Sequence, residues 1–462
     1  MTDILPREQQ AANHIHGICL KNGPPKRVGV ELEWLVRDAR DPALPVPAER
    51  IAAATAPFCE TPALPSGAAP GVLPTGSLLT TEPGGQLELS SLPADTLADC
   101  VRDTAADLAA LRAAAADAGL TLAGVGLDPL RSPQRILDLP RYAAMEEFFD
   151  RDGPWGRQMM CSTASVQVCL DAGDDSDTPR GHRWRWRFLH TIGPVLVAAF
   201  ANSPLRNGRP TGWRSSRQQV WAHMDAGRTR PPRLDGDLRA DWAAYALDAR
   251  VMCVRSEGDD WSAPPGLTLR DWVQRDSVPG RPPDSADLEY HLSTLFPPVR
   301  PRGHFEIRMI DAQPGDGWVV PLAVVSALLA DGPAAELAMA ATERIWLGQP
   351  PGEWPADPGR GRADRGRASR GRASRGRADR GRADRGRADR DGQASNPWLR
   401  AAISGPADPG IAQASRECFA AARDALARLR VPAAIRAVVD SFITEYVQQD
   451  RCPADDLLKE SA

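Results

Sequence analysis

The sequence has 462 residues, 42% of them hydrophobic, and a net charge of −4. That is ample material for a large buried core, and a charge so near neutrality points toward neither nucleic acid nor a membrane surface. No apolar run reaches the roughly 18 residues of a membrane span, so no membrane partner is expected.

The opening MTDILPREQQ lacks a basic stretch followed by an apolar one, so no signal peptide is expected. The eight cysteines form no CxxC pair. In a long chain without a secretion signal they read as reduced thiols, and the expected location is cytoplasmic.

Residues 7–20 read as a helix. RVGVELEWLV, 27–36, alternates as a strand, with Glu31 and Glu33 on one face and Val30, Leu32 and Trp34 on the other. Residues 40–75 are Pro- and Ala-rich and irregular, with one short helix near 48–56. TTEPGGQLELSS, 80–91, reads as a hairpin: a strand ending at Glu82, a Pro-Gly-Gly turn, and a strand from Gln86. Gln86 and Glu88 then oppose Leu87 and Leu89. Residues 93–119 form a strong helix with Pro93 in its first turn and Gly119 at its end.

LTLAGVGLD, 120–128, is strand-like. MMCSTASVQVCLD, 159–171, reads as a strand with Thr163, Ser165 and Gln167 opposite Val166 and Val168. Residues 181–202 read as a helix bent at Pro194. Further helices are expected near 214–225, 238–248, 285–296, 320–330, 334–347, 411–429 and 432–449. HFEIRMID, 304–311, is a strand with Glu306 and Arg308 opposing Phe305, Ile307 and Met309.

One repeat interrupts the C-terminal helices. GRA[DS]R recurs six times over 361–390, with twelve Arg and four Asp, a local +8 that leaves −12 elsewhere. Without aromatic or large aliphatic residues it cannot bury a core and reads as a disordered insertion. It also lacks the aromatics for base stacking, so a nucleic-acid partner is not expected.

A polar face on one strand is ordinary in an antiparallel sheet wetted on one side. Here acidic residues recur on that face in three separate strand regions. Carboxylates converging on one place repel unless a cation is present. Oxygen ligands without His or Cys clusters suit Mg²⁺, or Mn²⁺, with phosphate completing the coordination. With arginine nearby, the pattern points to phosphoryl transfer. No GxxxxGK[ST], strand-borne GxGxxG, HExxH or GxSxG occurs, so a nucleotide would have to bind on the sheet itself. Trp221 reads as core packing; Arg214 and Arg300 are cleft candidates without separable roles.

The ordered blocks GVELEW, TTEPGGQLELSS, MMCSTASVQVCLD, ANSPLRNGRPTGWRSSRQQVW, YALDARVM and TLFPPVR…HFEIR resemble the plant-type and actinobacterial glutamate–cysteine ligases. Within them, the branch that feeds ergothioneine synthesis is the nearest in look. The resemblance covers about residues 27–320. It implies an α+β, glutamine-synthetase-like fold: a curved, mainly antiparallel sheet forming a half-funnel backed by helices. It implies one catalytic domain over 1–462, with 357–395 an insertion and 396–462 a helical part of the same domain.

The implied reaction joins the γ-carboxylate of L-glutamate to the amine of L-cysteine, using ATP and Mg²⁺ through a γ-glutamyl phosphate. Glu31, Glu33, Glu88 and Glu306 are the implied metal ligands, with Glu306 also catalytic. Glu82, Gln167 and Arg217 are the implied substrate contacts. Arg308 is implied to hold ATP and stabilise the transferring phosphoryl group. The chain departs from the family in reading SSR where an SMR-type block is usual, in its Arg-rich repeat, and in having no cysteines that match the plant regulatory disulfide. Two alternatives remain open: a carboxylate–amine ligase with another amine acceptor, and a non-catalytic RNA- or partner-binding protein acting through the repeat.

Overall fold

The structure, a computed structural model, describes residues 8–21, 23, 25–59, 70–234, 236–274, 280–347 and 396–461. The GRA[DS]R repeat lies outside the described residues.

The strands are β1 (Val28–Asp38), β2 (Gly71–Val72), β3 (Leu78–Thr81), β4 (Leu87–Ser90), β5 (Leu120–Ala123), β6 (Ser165–Asp171), β7 (Leu205–Arg206), β8 (Arg209–Pro210), β9 (Val299–Pro301) and β10 (His304–Asp311). Eight of them form one sheet in the order β2-β3-β4-β1-β6-β10-β9, with β5 paired to the end of β1. Every pairing in it is antiparallel. The expected α+β class with a mainly antiparallel sheet is what the chain adopts.

Alternation decides what each face does. Val30, Leu32, Trp34, Val166, Val168, Phe305 and Ile307 are all buried, on the face that packs against helices. These include Leu97–Asp117, Gly193–Ala199 and Val319–Ala330. Val319–Ala330 (VVPLAVVSALLA) is apolar all round and almost wholly buried, as expected of a helix at the centre of a core. Among the described residues no single helix is long and apolar enough to cross a membrane. The C-terminal helix Pro409–Arg428 packs against Val319–Ala330 and Gly332–Glu343.

Several boundaries differ from expectation. The long helix starts at Leu97 rather than Pro93, because Thr96 caps it: its hydroxyl accepts from the Asp99 N–H at 3.1 Å. The strand expected from 159 begins only at Ser165, since Met159–Ser162 close the helix Trp155–Ser162. The helix over 181–202 is two helices, His182–Thr191 and Gly193–Ala199, divided at Ile192 just before Pro194. The helix Pro140–Asp150 was not anticipated.

One irregularity bears on the site. Along β10, Ile307 pairs with Val168 and Ile310 with Val166. Three residues on β10 span two on β6, so an extra residue bulges at Arg308–Met309. The expected alternation through Met309 is therefore reset, and Asp311 lands opposite Ser165 on the polar face.

Candidate active site

The polar face gathers carboxylates from distant parts of the chain. Across β1 and β4, Glu33 stands opposite Glu88 and Glu31 opposite Ser90. Across β1 and β6, Glu31 stands opposite Gln167. Glu306 lies between Cys169 of β6 and Arg300 of β9. Glu82 enters from the turn between β3 and β4, where its carbonyl accepts from the Gly85 N–H at 2.8 Å and Gly85 takes a φ of 87°. Gln86 is buried in the wall of the cavity that Glu33 and Glu82 also line; its Nε2 donates to the carbonyls of Met160 (3.2 Å) and Thr163 (3.0 Å), tying the hairpin to the helix Trp155–Ser162.

Hydrogen bonds join the strands into one network. Gln167 Nε2 donates to Glu33 Oε1 and Ser165 Oγ to Glu33 Oε2, both at 3.0 Å. Arg308 Nη1 donates to Gln167 Oε1 and to Glu306 Oε1. Arg300 grips Glu306 with both arms, Nε to Oε2 at 3.0 Å and Nη2 to Oε1 at 2.8 Å, a bidentate geometry suited to guanidinium and carboxylate. Arg302 Nη1 lies 3.8 Å from the same carboxylate. Glu306 is thus engaged by arginines on both oxygens, not grouped with the other glutamates.

Arg217, on the helix Ser216–His223, is buried beneath this network. Its Nη2 donates to the Arg308 carbonyl at 2.9 Å, and its guanidinium lies 4.4 Å from the Trp221 ring centre. Trp221 is half-buried: it packs against a hydrophobic cluster, as expected, and also lines a cavity. Among the described residues Nε and Nη1 of Arg217, and Nε of Arg308, have no hydrogen-bond partner, although Arg217 Nη1 lies 4.0 Å from Asp311 Oδ1. Glu33, Glu82, Arg141, Arg217, Trp221 and Arg308 line one cavity. Glu31, Cys169, Arg302 and His304 line a second. Glu88 accepts from Thr80 Oγ1 and Ser90 Oγ, each at 3.3 Å.

The electrostatics are lopsided. Burial pushes the Glu82 carboxyl up to about 7, and the charges of Glu33 and Glu31 add to the shift. Burial also holds Glu88 well above the ordinary carboxylate range, reinforced by Glu31, Glu82 and Glu33. Glu33 is raised by burial, against the opposing pull of Arg217 and Arg308. On the cationic side, burial lowers Arg308 to about 9, with the charge of Arg300 adding to it. Among the described residues no three His, Cys, Asp or Glu side chains form a ready-made metal cage. Yet carboxylates that make one another harder to ionise are short of positive charge, and an all-oxygen donor set of this kind fits a hard divalent cation.

Arg141 and Tyr142 were missed in the sequence because their helix was missed. The signal was present: Pro140 at the first turn, then Tyr142, Met145, Phe148 and Phe149 on one buried side. Arg214 stands apart from the site, its Nε 2.9 Å from Asp455.

Against known families, residues 27–350 match the glutamate–cysteine ligase family 2. The chain is 42% identical over 342 residues to glutamate–cysteine ligase EgtA of Mycobacterium tuberculosis (strain ATCC 25618 / H37Rv), covering 72% of this chain and 76% of that protein. It is 32% identical over 243 residues to the chloroplastic glutamate–cysteine ligase of Medicago truncatula, covering 51% and 47%. Among solved structures, a glutamate–cysteine ligase from Francisella tularensis in complex with AMP aligns at a TM-score of 0.46 and 12% identity, over 95% of this chain and 85% of that one. A likeness that weak carries no part of the argument.

Proposed function

The chain belongs to the glutamate–cysteine ligase family 2, and from that premise we propose that it joins L-glutamate to L-cysteine at the expense of ATP, for ergothioneine synthesis. The γ-carboxylate of glutamate attacks the γ-phosphorus of ATP and ADP leaves. The amine of cysteine then attacks the acyl carbon of the γ-glutamyl phosphate, phosphate leaves, and γ-glutamylcysteine forms. A free carboxylate would have to expel oxide, whereas the acyl phosphate expels phosphate, which is why ATP is needed.

One observation carries the reading. Across a single cavity, Arg217 and Arg308, each with a guanidinium N–H free of hydrogen bonds among the described residues, share the walls with Glu33 and Glu82. An amino acid is a zwitterion, and such a cavity offers a partner for each of its charges. In our reading Arg217 receives a carboxylate of glutamate, as guanidinium geometry favours, and Glu82 its ammonium. Gln167, held between Glu33 and Arg308, sets their spacing.

Arg308 supports the transferring phosphoryl group, whose negative charge would otherwise meet a face rich in carboxylates. Glu306 aims Arg308, and Arg300 fixes Glu306. Glu31, Glu33 and Glu88 are the residues we assign to hold Mg²⁺, while Glu306, held by Arg300 on both oxygens, stays with the arginines. When bound, the ion would neutralise charge on the nucleotide phosphates. Holding acyl phosphate and amine together in a cavity favours aminolysis over hydrolysis.

We also read 1–462 as one ligase domain in the cytoplasm, with 396–462 as its helical end and 357–395 as an insertion. The packing of Pro409–Arg428 onto Val319–Ala330 supports this. Incubating the protein with ATP, Mg²⁺ and glutamate, with and without cysteine, tests the function. Cysteine-dependent release of ADP with a product of γ-glutamylcysteine mass is expected. A panel of other amines separates this acceptor from its alternatives; a product formed faster with another amine would reassign the acceptor while keeping the ligase.

A further inference from the structure

Behind the sheet, on the face away from the carboxylates, lies a second kind of cavity. Val28 and Leu170, paired across β1 and β6, form part of its wall. Its volume of about 560 Å³ is within the range of about 300–1,000 Å³ usual for small-molecule sites. Leu97, Leu329, Leu426 and Val431 give it apolar lining.

The polar lining is strongly one-sided. Lys26, Arg27, Arg180, Arg185 and Arg430 border the cavity, and Asp95 is the one carboxylate among its lining residues. Arg27 lies 3.8 Å from Asp95, and Arg180 lies 3.9 Å from Asp174. Among the described residues Lys26, Arg185 and Arg430 have no carboxylate within ion-pair distance, and only the more distant negative charges of Asp171 and Asp174 act on Arg185. Arg185 is only 3% exposed. Its Nη1 donates to the Leu329 carbonyl at 3.3 Å, while its Nε has no hydrogen-bond partner among the described residues. Ser326 Oγ, in the same lining, likewise has no hydrogen-bond partner among the described residues. A buried cation with an unmet donor is costly unless something supplies an acceptor.

A free inorganic anion would satisfy these donors and leave the leucines unused. A neutral apolar molecule would do the reverse. We propose that the cavity is a binding site for an amphipathic organic anion, with an apolar body against the leucines and a carboxylate, sulfonate or phosphate head toward Arg185 and Arg430. The site is separate from the ligase chemistry and stands whether or not that reading does.

Anilinonaphthalene sulfonate is a fluorescent anion of this class and serves as the probe on the full chain. One saturable site is expected, undiminished by ATP or glutamate. Uncharged phenylnaphthylamine should bind at least about tenfold more weakly. Arg430→Glu, at an exposed position, should weaken the sulfonate by a similar factor with an unchanged melting temperature and unchanged ligase turnover. Ser326→Trp should abolish binding by filling the space. Equal affinity for the uncharged dye, displacement by ATP, or affinity unaltered in the Arg430→Glu protein would each overturn the proposal.

Discussion

Glu33 of β1 and Glu88 of β4 stand directly opposite one another in the sheet register. Like charges in that position weaken a strand pair, so the pairing works against stability. Glu88→Gln should raise the melting temperature in metal-free buffer by about 1–3 °C, from about 1 kcal/mol of relieved repulsion. Ligase turnover should fall at least about a hundredfold. Calorimetry beside an ADP-release assay checks both; a variant that melts lower and turns over normally would contradict the assignment.

If the carboxylates hold Mg²⁺, the ion should stabilise the fold by mass action. Saturation at a hundred times the dissociation constant corresponds to about 2.7 kcal/mol. Thermal melting with increasing MgCl₂ should show a rise in the wild-type protein and little or none in Glu31→Gln and Glu33→Gln. A rise of equal size in all three would place the ion elsewhere.

Arg300 and Arg308 share one carboxylate but should fail differently. Arg308→Ala should leave the melting temperature close to wild type and lower turnover by about a hundredfold or more, as expected when charge support is removed from a transition state. Arg300→Met strips the bidentate partner from fully buried Glu306. It should destabilise the fold by about 3–5 kcal/mol, read as a shift in the urea midpoint. Identical profiles for the two variants would remove the distinction between aiming and acting.

Acid should loosen the core through two histidines. His190 Nδ1 donates to the Trp186 carbonyl (2.8 Å) and His291 Nε2 to the Ala246 carbonyl (2.9 Å), and both are buried. Burial lowers His190 to about 4 and His291 to about 3, from an ordinary 6.5. Below about pH 6.5 the unfolded chain binds protons that the folded chain refuses, so stability falls with pH. The loss is about 1.4 kcal/mol per pH unit for each histidine, ending near 4 for His190 and near 3 for His291. Urea midpoints between pH 7 and 4.5 should decline, and His291→Asn should flatten the decline by one histidine's share. A slope unchanged by the substitution would mean that other groups drive acid unfolding.

The sheet was legible where alternation is strict. GVELEW and QLELSS announce their faces two residues at a time, and the charged residues so exposed do fall on one side. MMCS was misread because four residues at the close of a helix carry no period of their own beside a strongly alternating SVQV. The partner of Glu306 was within reach: VRPRGHFEIR holds a tight turn at Arg302–Gly303, with Gly303 at a φ of 79°, which sets Arg300 across from Glu306. The contact of Arg217 with the Arg308 carbonyl spans 91 residues and has no local signal.

The bulge in β10 has a consequence for how this strand tolerates change. Arg308 and Asp311 are an odd number of positions apart, yet both belong to the polar face, where buried Asp311 accepts from Ser203 Oγ (2.7 Å) and Ser215 Oγ (3.0 Å). Deleting Met309 would remove the extra residue and leave Asp311 opposite Ser165, whereas straightening the strand at its full length would turn that carboxylate into the oily layer beneath. A one-residue deletion inside the bulge should therefore be tolerated better than the same deletion at Ile307, after which every later side chain of the strand would change face.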